Sequence, residues 1–357
     1  MGVLAYFGFR ANGGPQVPEP AWLDDGDLPE LPPPVLLRGF ASVSSISFSA
    51  DGTAMSTSHL RRTELDAFDP GSVRVWTLGQ SRPRFTVDDP DQAHVAALSP
   101  DGQSVASDAP APAEPPESGA DPCLVDLWDA HTGQRTGRLH VPFVPRRARG
   151  HDPHVRSLAY SPDGRFLAAA ATDRKVYVWD LTRDRPVVTA LTGPRQSVGA
   201  VAFSPDGRVL AAGSMDHHAH LWIRTRGRFR YLAPLTGHTD CVDALAFTPD
   251  GEILATAGRD GTVLLWDVLR RARIAALTGH TAPVTAVSFG AAGALLATAA
   301  EDGTVRLWHT AAHRQLRILT EGLDGPPTTA FTPDGTRLIT PTTPHRGLTV
   351  WDTRGWH

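Results

Sequence analysis

Short runs in which apolar and polar residues alternate recur along the chain, and each run predicts a β-strand rather than a helix. In one clearly marked unit the runs cover residues 242–247, 253–257, 262–266 and 273–277, with an Asp260-Gly261 turn between the second and third. Strands this short cannot bury an apolar face alone. The pattern therefore predicts four-stranded units that stack on one another.

A Ser/Thr-Pro-Asp-Gly tetrapeptide marks these units. Proline presets φ at its second position and glycine accommodates its last, so each copy predicts a tight hairpin turn. Regular copies lie at 99–102, 161–164, 204–207, 248–251 and 332–335, and less regular copies at 49–52 and 290–293.

One tryptophan follows each turn. The seven are Trp76, Trp128, Trp179, Trp222, Trp266, Trp308 and Trp351. The last five are separated by 43, 44, 42 and 43 residues, and a period of about 40 to 45 residues is typical of propeller blades. Seven turns and seven tryptophans predict an all-β protein with seven blades.

Residues 34–357 resemble the WD40-repeat family, most closely from Gly237-His238 to Trp266-Asp267 and from Gly279-His280 to Trp308. The resemblance implies that each of these two units buries a hydrogen-bonded chain of four side chains. The two chains would be His238, Thr256, Asp260 and Trp266, and His280, Thr298, Asp302 and Trp308. Their implied role is structural rather than catalytic.

The other units depart from this pattern. Unit three keeps His151, Asp173 and Trp179 but has Ala169 at the hydroxyl position. Unit four has Pro194 in place of the histidine and Ala212 in place of the hydroxyl, and units one, two and seven lack the intact network. We expect these blades to be less firmly held.

The last blade needs a strand from elsewhere, because only six residues follow Trp351. Residues 34–40 repeat the pattern of residues 275–280, so residues 35–38 are predicted to close the ring as its fourth strand. Residues 1–33 are predicted to form a proline-rich N-terminal extension. Trp22 and Leu23 within it would either pack on the propeller or act as a short ligand motif.

The resemblance also implies a binding face, formed by the loops between blades and between second and third strands. Longer connections at 59–69, 109–121, 140–149 and 341–347 all belong to this face, on neighbouring blades. Surface loops tolerate insertion, so drift is one explanation. The other explanation, which we favour, is a docking surface with an acidic edge and a basic edge. The charged residues at these edges are Glu114, Glu117, Arg146, Arg147 and Arg149.

The regular blades contribute further positions to this face. By the same resemblance, the residue before each turn aspartate and the residue before the first-strand valine would point toward a partner. These positions are Thr172, Met215, Arg259 and Glu301, with His154, Ser197, Cys241 and Pro283.

Charge and cysteine content narrow the partner classes. The chain has 34 basic and 38 acidic residues, so neither a nucleic acid nor a membrane surface is expected as a partner. Cys123 and Cys241 are its only cysteines, too few for a disulfide framework. With no signal peptide and no long apolar stretch, we expect a cytoplasmic, bacterial protein.

One segment raises a metal hypothesis. His218 and His220 fall on the same side of a predicted strand, but no third ligand stands at a suitable spacing, so packing is the better interpretation. Phosphate-loop, nucleophile-elbow and zinc-protease motifs are absent from the sequence. We expect no catalytic residue and no cofactor.

The sequence thus favours a non-catalytic scaffold or adaptor that binds a protein or peptide on the loop-rich face. We expect it to be monomeric within a larger complex. Two alternatives stay open: an enzyme or small-molecule sensor that uses the central opening, and a regulatory module of a larger assembly.

Overall fold

The fold is an all-β ring. A computed structural model describes residues 35–38, 43–59, 72–78, 80, 82–88, 95–109, 123–141, 154–323, 327–342, 347–354 and 356. Within these ranges the chain forms seven four-stranded antiparallel sheets and no helix, which confirms the predicted seven-bladed propeller. The described part of the chain accordingly offers no helix that could span a bilayer.

The strands are numbered in chain order. The first, β1 (Val35–Arg38), belongs to the last blade. Blade one contains β2 (Val43–Phe48), β3 (Ala54–His59), β4 (Ser72–Thr77) and β5 (Pro83–Asp88). Blade two contains β6 (Ala96–Leu98), β7 (Ser104–Asp108), β8 (Cys123–Asp129) and β9 (Arg135–His140). Blade three contains β10 (Val155–Tyr160), β11 (Phe166–Ala171), β12 (Val176–Asp180) and β13 (Val187–Leu191).

The remaining blades repeat this order. Blade four contains β14 (Val198–Phe203), β15 (Val209–Ser214), β16 (His218–Thr225) and β17 (Arg228–Thr236). Blade five contains β18 (Val242–Phe247), β19 (Ile253–Gly258), β20 (Val263–Asp267) and β21 (Ala272–Leu277). Blade six contains β22 (Val284–Phe289), β23 (Leu295–Ala300), β24 (Val305–His309) and β25 (Arg314–Thr320). Blade seven contains β26 (Ala330–Phe331), β27 (Arg337–Thr342), β28 (Gly347–Asp352) and β1.

The N-terminal strand completes blade seven. β1 pairs antiparallel with β28, with Val35 opposite Val350 and Arg38 opposite Gly347. The apolar layer also continues across this junction, because Met55 and Trp76 of blade one pack with Ile339 and Leu348 of blade seven. These two contacts join β1 and blade one to blade seven, so the ring is closed between its first and last blades.

Hairpin turns of neighbouring blades touch in series. In each regular turn the glycine has positive φ, +66° at Gly164 and +65° at Gly207, which glycine adopts without strain. A Cβ built on Gly207 would lie 3.5 Å from Cδ of Pro162 in the preceding blade, and one on Gly52 would lie 3.6 Å from Cδ of Pro333. The tetrapeptide therefore shapes its own hairpin and also the contact between blades.

Candidate functional site

The two ends of the ring carry different connections. Consecutive hairpins of an antiparallel meander alternate between the two ends of the sheet. The Ser/Thr-Pro-Asp-Gly turns and the turns before each fourth strand therefore share one end, which we name the turn end. The loops between second and third strands and between blades share the other, which we name the loop end.

At the loop end, four blades present the same two positions. One backbone hydrogen bond joins the two in every case, and all eight side chains are exposed or half-buried. The N–H···O pairs are Thr172 to His154 (3.0 Å), Met215 to Ser197 (2.9 Å), Arg259 to Cys241 (2.9 Å) and Glu301 to Pro283 (2.8 Å). The positions inferred from the family resemblance are thus held in equivalent geometry on blades three to six.

An ion pair fixes one of these side chains. Arg259 Nε donates to Asp243 Oδ2 at 2.6 Å, and this hydrogen bond raises the pKa of the Arg259 guanidinium. The neighbouring blade leaves room for the pair, since a Cβ on Gly199 would lie 3.2 Å from Asp243 Oδ1. Arg259 is therefore presented in a defined orientation, which reduces the entropy lost on binding.

Cys241 places a thiol at the loop end. Burial and a hydrogen bond with Asp240 raise the pKa of the Cys241 thiol, which keeps it protonated and a poor nucleophile. Among the described residues, no group of three or more His, Cys, Asp or Glu side chains is placed to hold a metal ion. What the surface offers is a mixture of cationic, anionic, thioether and hydroxyl groups.

Beneath this surface, blade five contains a buried chain of hydrogen bonds. Trp266 Nε1 donates to Thr256 Oγ1 at 2.9 Å, and the Thr256 hydroxyl donates to His238 Nε2 at 2.8 Å. His238 Nδ1 in turn donates to Asp260 Oδ2 at 2.9 Å. Because Asp260 also accepts from the Thr239 amide at 2.9 Å, the network fixes the loop that enters the blade.

Blade six repeats this arrangement. Trp308 Nε1, the Thr298 hydroxyl, His280 and Asp302 are joined over 2.8, 2.7 and 2.9 Å. Burial lowers the pKa of His280, although Asp302 opposes the change. Burial would raise the pKa of Asp302, but hydrogen bonds from Thr304 and His280 outweigh it and lower the value to about 2. The pair is therefore a neutral imidazole that donates to a carboxylate, and both ring nitrogens of His280 are bonded to protein groups.

In blade four a histidine of the third strand, instead of one from the entering loop, bonds to the turn aspartate. His220 Nε2 lies 3.1 Å from Asp216 Oδ2, and His220 Nδ1 accepts from the Tyr231 hydroxyl at 2.8 Å. Asp216 still accepts from the loop amide of Arg195 at 2.6 Å, as Asp260 does from Thr239. Both nitrogens of the imidazole suspected as a metal ligand are thus already bonded to protein groups.

Blade three uses a tyrosine in the equivalent place. The Tyr177 hydroxyl donates to Asp173 Oδ2 at 2.7 Å, and Lys175 Nζ lies 3.2 Å from the same oxygen. Without a second-strand hydroxyl, Trp179 Nε1 donates to the His140 carbonyl of blade two at 3.1 Å.

Blades one, two and seven share the first bond of this network. Their tryptophans donate to a second-strand hydroxyl as in blade five: Trp76 to Thr57 (3.0 Å), Trp128 to Ser107 (2.9 Å) and Trp351 to Thr340 (2.9 Å). Sequence reasoning missed these bonds because it searched for the complete set of four. A signal for these bonds was present in the sequence. In each blade the hydroxyl residue follows, by two positions in the second strand, the residue that pairs with the tryptophan.

Several predicted binding residues lie outside the described part of the chain. They are Glu114, Glu117, Arg146, Arg147 and Arg149, together with His151, residues 1–33 and most of the four long connections. The candidate site described here is accordingly the loop end of blades three to six.

The repeat pattern matches a family model. The model named WD domain, G-beta repeat, matches residues 144–180, 185–222, 229–267 and 271–309. These segments end in the third strands of blades three to six, and in each of these four blades the turn aspartate has a side-chain partner.

Similar proteins share parts of the chain. It is 43% identical over 47 residues to the general transcriptional corepressor TUP1 of Saccharomyces cerevisiae, covering 13% of this chain and 6% of that protein. It is 38% identical over 68 residues to the WD repeat-containing protein SL1-17 of Schistosoma mansoni, 19% of each. It is 32% identical over 141 residues to the small ribosomal subunit protein RACK1 of Schizosaccharomyces pombe, 40% of this chain and 38% of that protein.

These matches span well under half the length of each relative. They agree, however, with the fold: four matched repeats lie within a ring of seven four-stranded blades. The four matched repeats and the seven-bladed ring together support the WD40-repeat family for this chain.

Proposed function

We propose that this protein is a non-catalytic scaffold or adaptor that holds a protein or peptide partner at its loop end. The observation that carries the proposal is the row of four equivalent residue pairs on blades three to six, each fixed by the same backbone hydrogen bond. A rigid ring that presents many mixed side chains suits a broad protein contact, in which each residue contributes modestly.

Two side chains of this row, Met215 and Arg259, are of the types that interfaces favour. Arg259 and Glu301 supply opposite charges on adjacent blades, and Met215 supplies a polarizable apolar group. The raised pKa of the Cys241 thiol speaks against the alternative of an enzyme with a cysteine nucleophile.

Two similar proteins support a role within an assembly. One is named a transcriptional corepressor and the other a small ribosomal subunit protein. By analogy, this chain would act as the binding module of a larger complex in the cytoplasm. The insertions with Glu114, Glu117, Arg146, Arg147 and Arg149 would extend the same surface.

A charge exchange at the loop end tests the proposal. A partner is first captured from native lysate and purified, and its affinity is then measured by calorimetry for the wild type and for R259E/E301R. The exchange leaves net charge unchanged but inverts the local pattern, so we expect affinity to fall about tenfold or more. The matched control is R208E/E252R, an equivalent exchange of two exposed residues at the turn end.

The two variants give distinguishable outcomes. Loss of affinity in R259E/E301R alone, with both variants melting cooperatively near the wild-type temperature, supports the proposal. Equal affinity for both variants would place the partner elsewhere on the ring and contradict it. Charge reversal at Arg146, Arg147 and Arg149 then tests whether the long connection before blade three joins the contact.

A further inference from the structure

The outer parts of blades three to five are strongly basic. Three segments, 181–191, 224–236 and 268–277, each contain a fourth strand and the turn before it, and we name them the arginine belt. The second segment also contains the last two residues of β16. Together the three segments contain nine arginines and one acidic residue, Asp184, a balance of +8 in a chain whose net charge is −4. The near-neutral total had argued against an anionic partner, but it conceals this local excess.

Most of these arginines have no ion-pair partner among the described residues. Arg224 pairs with Asp163 at 3.1 Å and Arg270 with Asp267 at 2.6 Å. The other seven arginines of the belt are exposed and form no ion pair with any residue that the structure describes. In blade two, by contrast, Arg135 and Arg138 of the outer strand both lie against buried Asp126.

Apolar groups are interleaved with these arginines. Of the described residues, the large hydrophobic side chains that are exposed are Val187 (49%), Tyr231 (37%), Leu269 (88%) and Ile274 (42%), and all four lie in the belt. Arginine together with exposed aromatic and aliphatic groups is the composition of protein interfaces rather than of an ordinary solvated surface.

A groove lies between two blades of the belt. Its volume is about 130 Å³, with Phe166, Val178, Val187 and Phe229 among its lining residues. The rings of Phe166 and Phe229 meet edge to face at 5.6 Å and form its floor. A volume of this size is sufficient for one apolar side chain.

The charge around the groove is positive. Asp180, its acidic lining residue, already accepts from Arg165 at 3.2 Å and from Thr182 at 2.6 Å, whereas Arg183 at the rim is exposed and unpaired among the described residues. β13, which forms one wall, is the outer strand of its sheet and has a partner strand on one side only. An extended peptide could pair with such an edge.

We propose that the arginine belt is a second docking surface, separate from the loop end, for an acidic extended segment of a partner protein that inserts an apolar side chain into the groove. The charge selects the acidic segment, and the groove and strand edge favour a peptide over a nucleic acid or a lipid surface. A nucleic acid or lipid headgroup would use the arginines but not the buried phenylalanine floor.

The probe is a fluorescein-labelled twelve-residue peptide of aspartate and glutamate with one central leucine, measured by fluorescence anisotropy on the full chain at physiological salt. The test variant is R226E/R228E/R230E. We expect it to weaken binding by about tenfold or more. The matched control, R82E/R84E/R337E, makes the same charge change at exposed positions outside the belt, and should stay within about twofold.

Val187→Asn, which adds polarity without charge, tests the groove separately. It should weaken the leucine peptide but not a peptide with alanine in place of leucine. If the triple reversal unfolds, the triple glutamine variant R226Q/R228Q/R230Q replaces it. The proposal is overturned if the two triple reversals bind alike, or if an oligothymidylate or phosphatidylserine vesicles bind the belt more tightly than the peptide. Since R259E/E301R should leave peptide binding unchanged, failure here is separable from failure of the loop-end function.

Discussion

Blades five and six and blades three and four secure the same turn aspartate in two ways. In blades five and six, a histidine from the entering loop reaches the carboxylate and a second-strand threonine links it to tryptophan. In blades three and four, an aromatic residue of the third strand reaches it instead. The register explains the exchange: Ala169 lies opposite Tyr177 and Ala212 opposite His220, so a small residue makes room for a large one.

The difference shows that the aspartate is the common element of these four blades, while its partner can come from another strand. An alanine at the hydroxyl position is therefore not a simple loss. We infer that blade four is held about as firmly as blade six, contrary to what the missing histidine and hydroxyl suggested.

The largest effect should follow removal of the buried imidazole in either kind of blade. We expect His220→Ala and His280→Ala each to lower the free energy of unfolding by about 2 to 4 kcal/mol, because each leaves a cavity and a half-buried carboxylate without its partner. Urea denaturation followed by tryptophan fluorescence measures both losses.

His154→Ala is the control for this pair. The side chain is exposed, so its removal should change stability by less than about 0.5 kcal/mol. A loss for His220→Ala close to that of His154→Ala, beside a large loss for His280→Ala, would show that the two kinds of blade are not equivalent.

A smaller loss of stability should follow when the second-strand threonine of blade five is introduced into blade four. Ala212→Thr places a hydroxyl and a methyl group against His220, and overpacking of this kind costs about 1 to 3 kcal/mol. Adding His220→Leu recreates the Thr256 and Leu264 pairing of blade five and should recover part of that loss.

A double-mutant cycle reports the coupling directly. Strict additivity of Ala212→Thr and His220→Leu would contradict the idea that the opposing positions exchange volume. The same cycle with Ala211→Ser in place of Ala212→Thr provides the comparison, because Ala211 lies opposite Leu221 instead.

The architecture was predictable because turns and tryptophans repeat with a fixed period, and such local signals survive in every blade. Which strand partners the aspartate was not predictable in the same way, since it depends on a residue pair across two strands. Ala212 was noted as a missing hydroxyl and His220 as a strand residue, but only the register places one opposite the other. The arginine belt was missed for a related reason, because total charge averages over segments that the fold brings to one side.

Tyr231→Phe should lower the free energy of unfolding by about 0.5 to 1.5 kcal/mol, less than the substitutions above. It removes one hydroxyl that donates to His220 and leaves the ring packed against Trp222. Differential scanning calorimetry can resolve a change of this size. In the His220→Ala background the same substitution should cost nearly nothing, because the acceptor has gone. A full additional loss there would mean that the hydroxyl acts through another group.

The smallest expected effect is a dependence of stability on pH. Burial lowers the pKa of His220 and of His280 in the folded state, so the unfolded chain binds protons more readily. Stability from these groups is therefore fully present above the unfolded value of about 6.5 and is lost as pH falls from there toward the folded pKa values. Urea midpoints at pH 7.5, 6.5 and 5.5 should decline in that order.

The imidazoles of blades four and six should contribute equally to this decline. This equality is the most sensitive test of whether the two kinds of blade are equivalent. His220→Asn and His280→Asn each remove one titrating group, and each should flatten the decline between pH 6.5 and 5.5. Asp302, with a pKa lowered to about 2, adds a separate loss only below about pH 4, where this carboxylate takes up a proton in the unfolded chain but not yet in the folded one. If only His280→Asn flattens the profile, the blade-four imidazole is not held neutral by burial as the blade-six imidazole is.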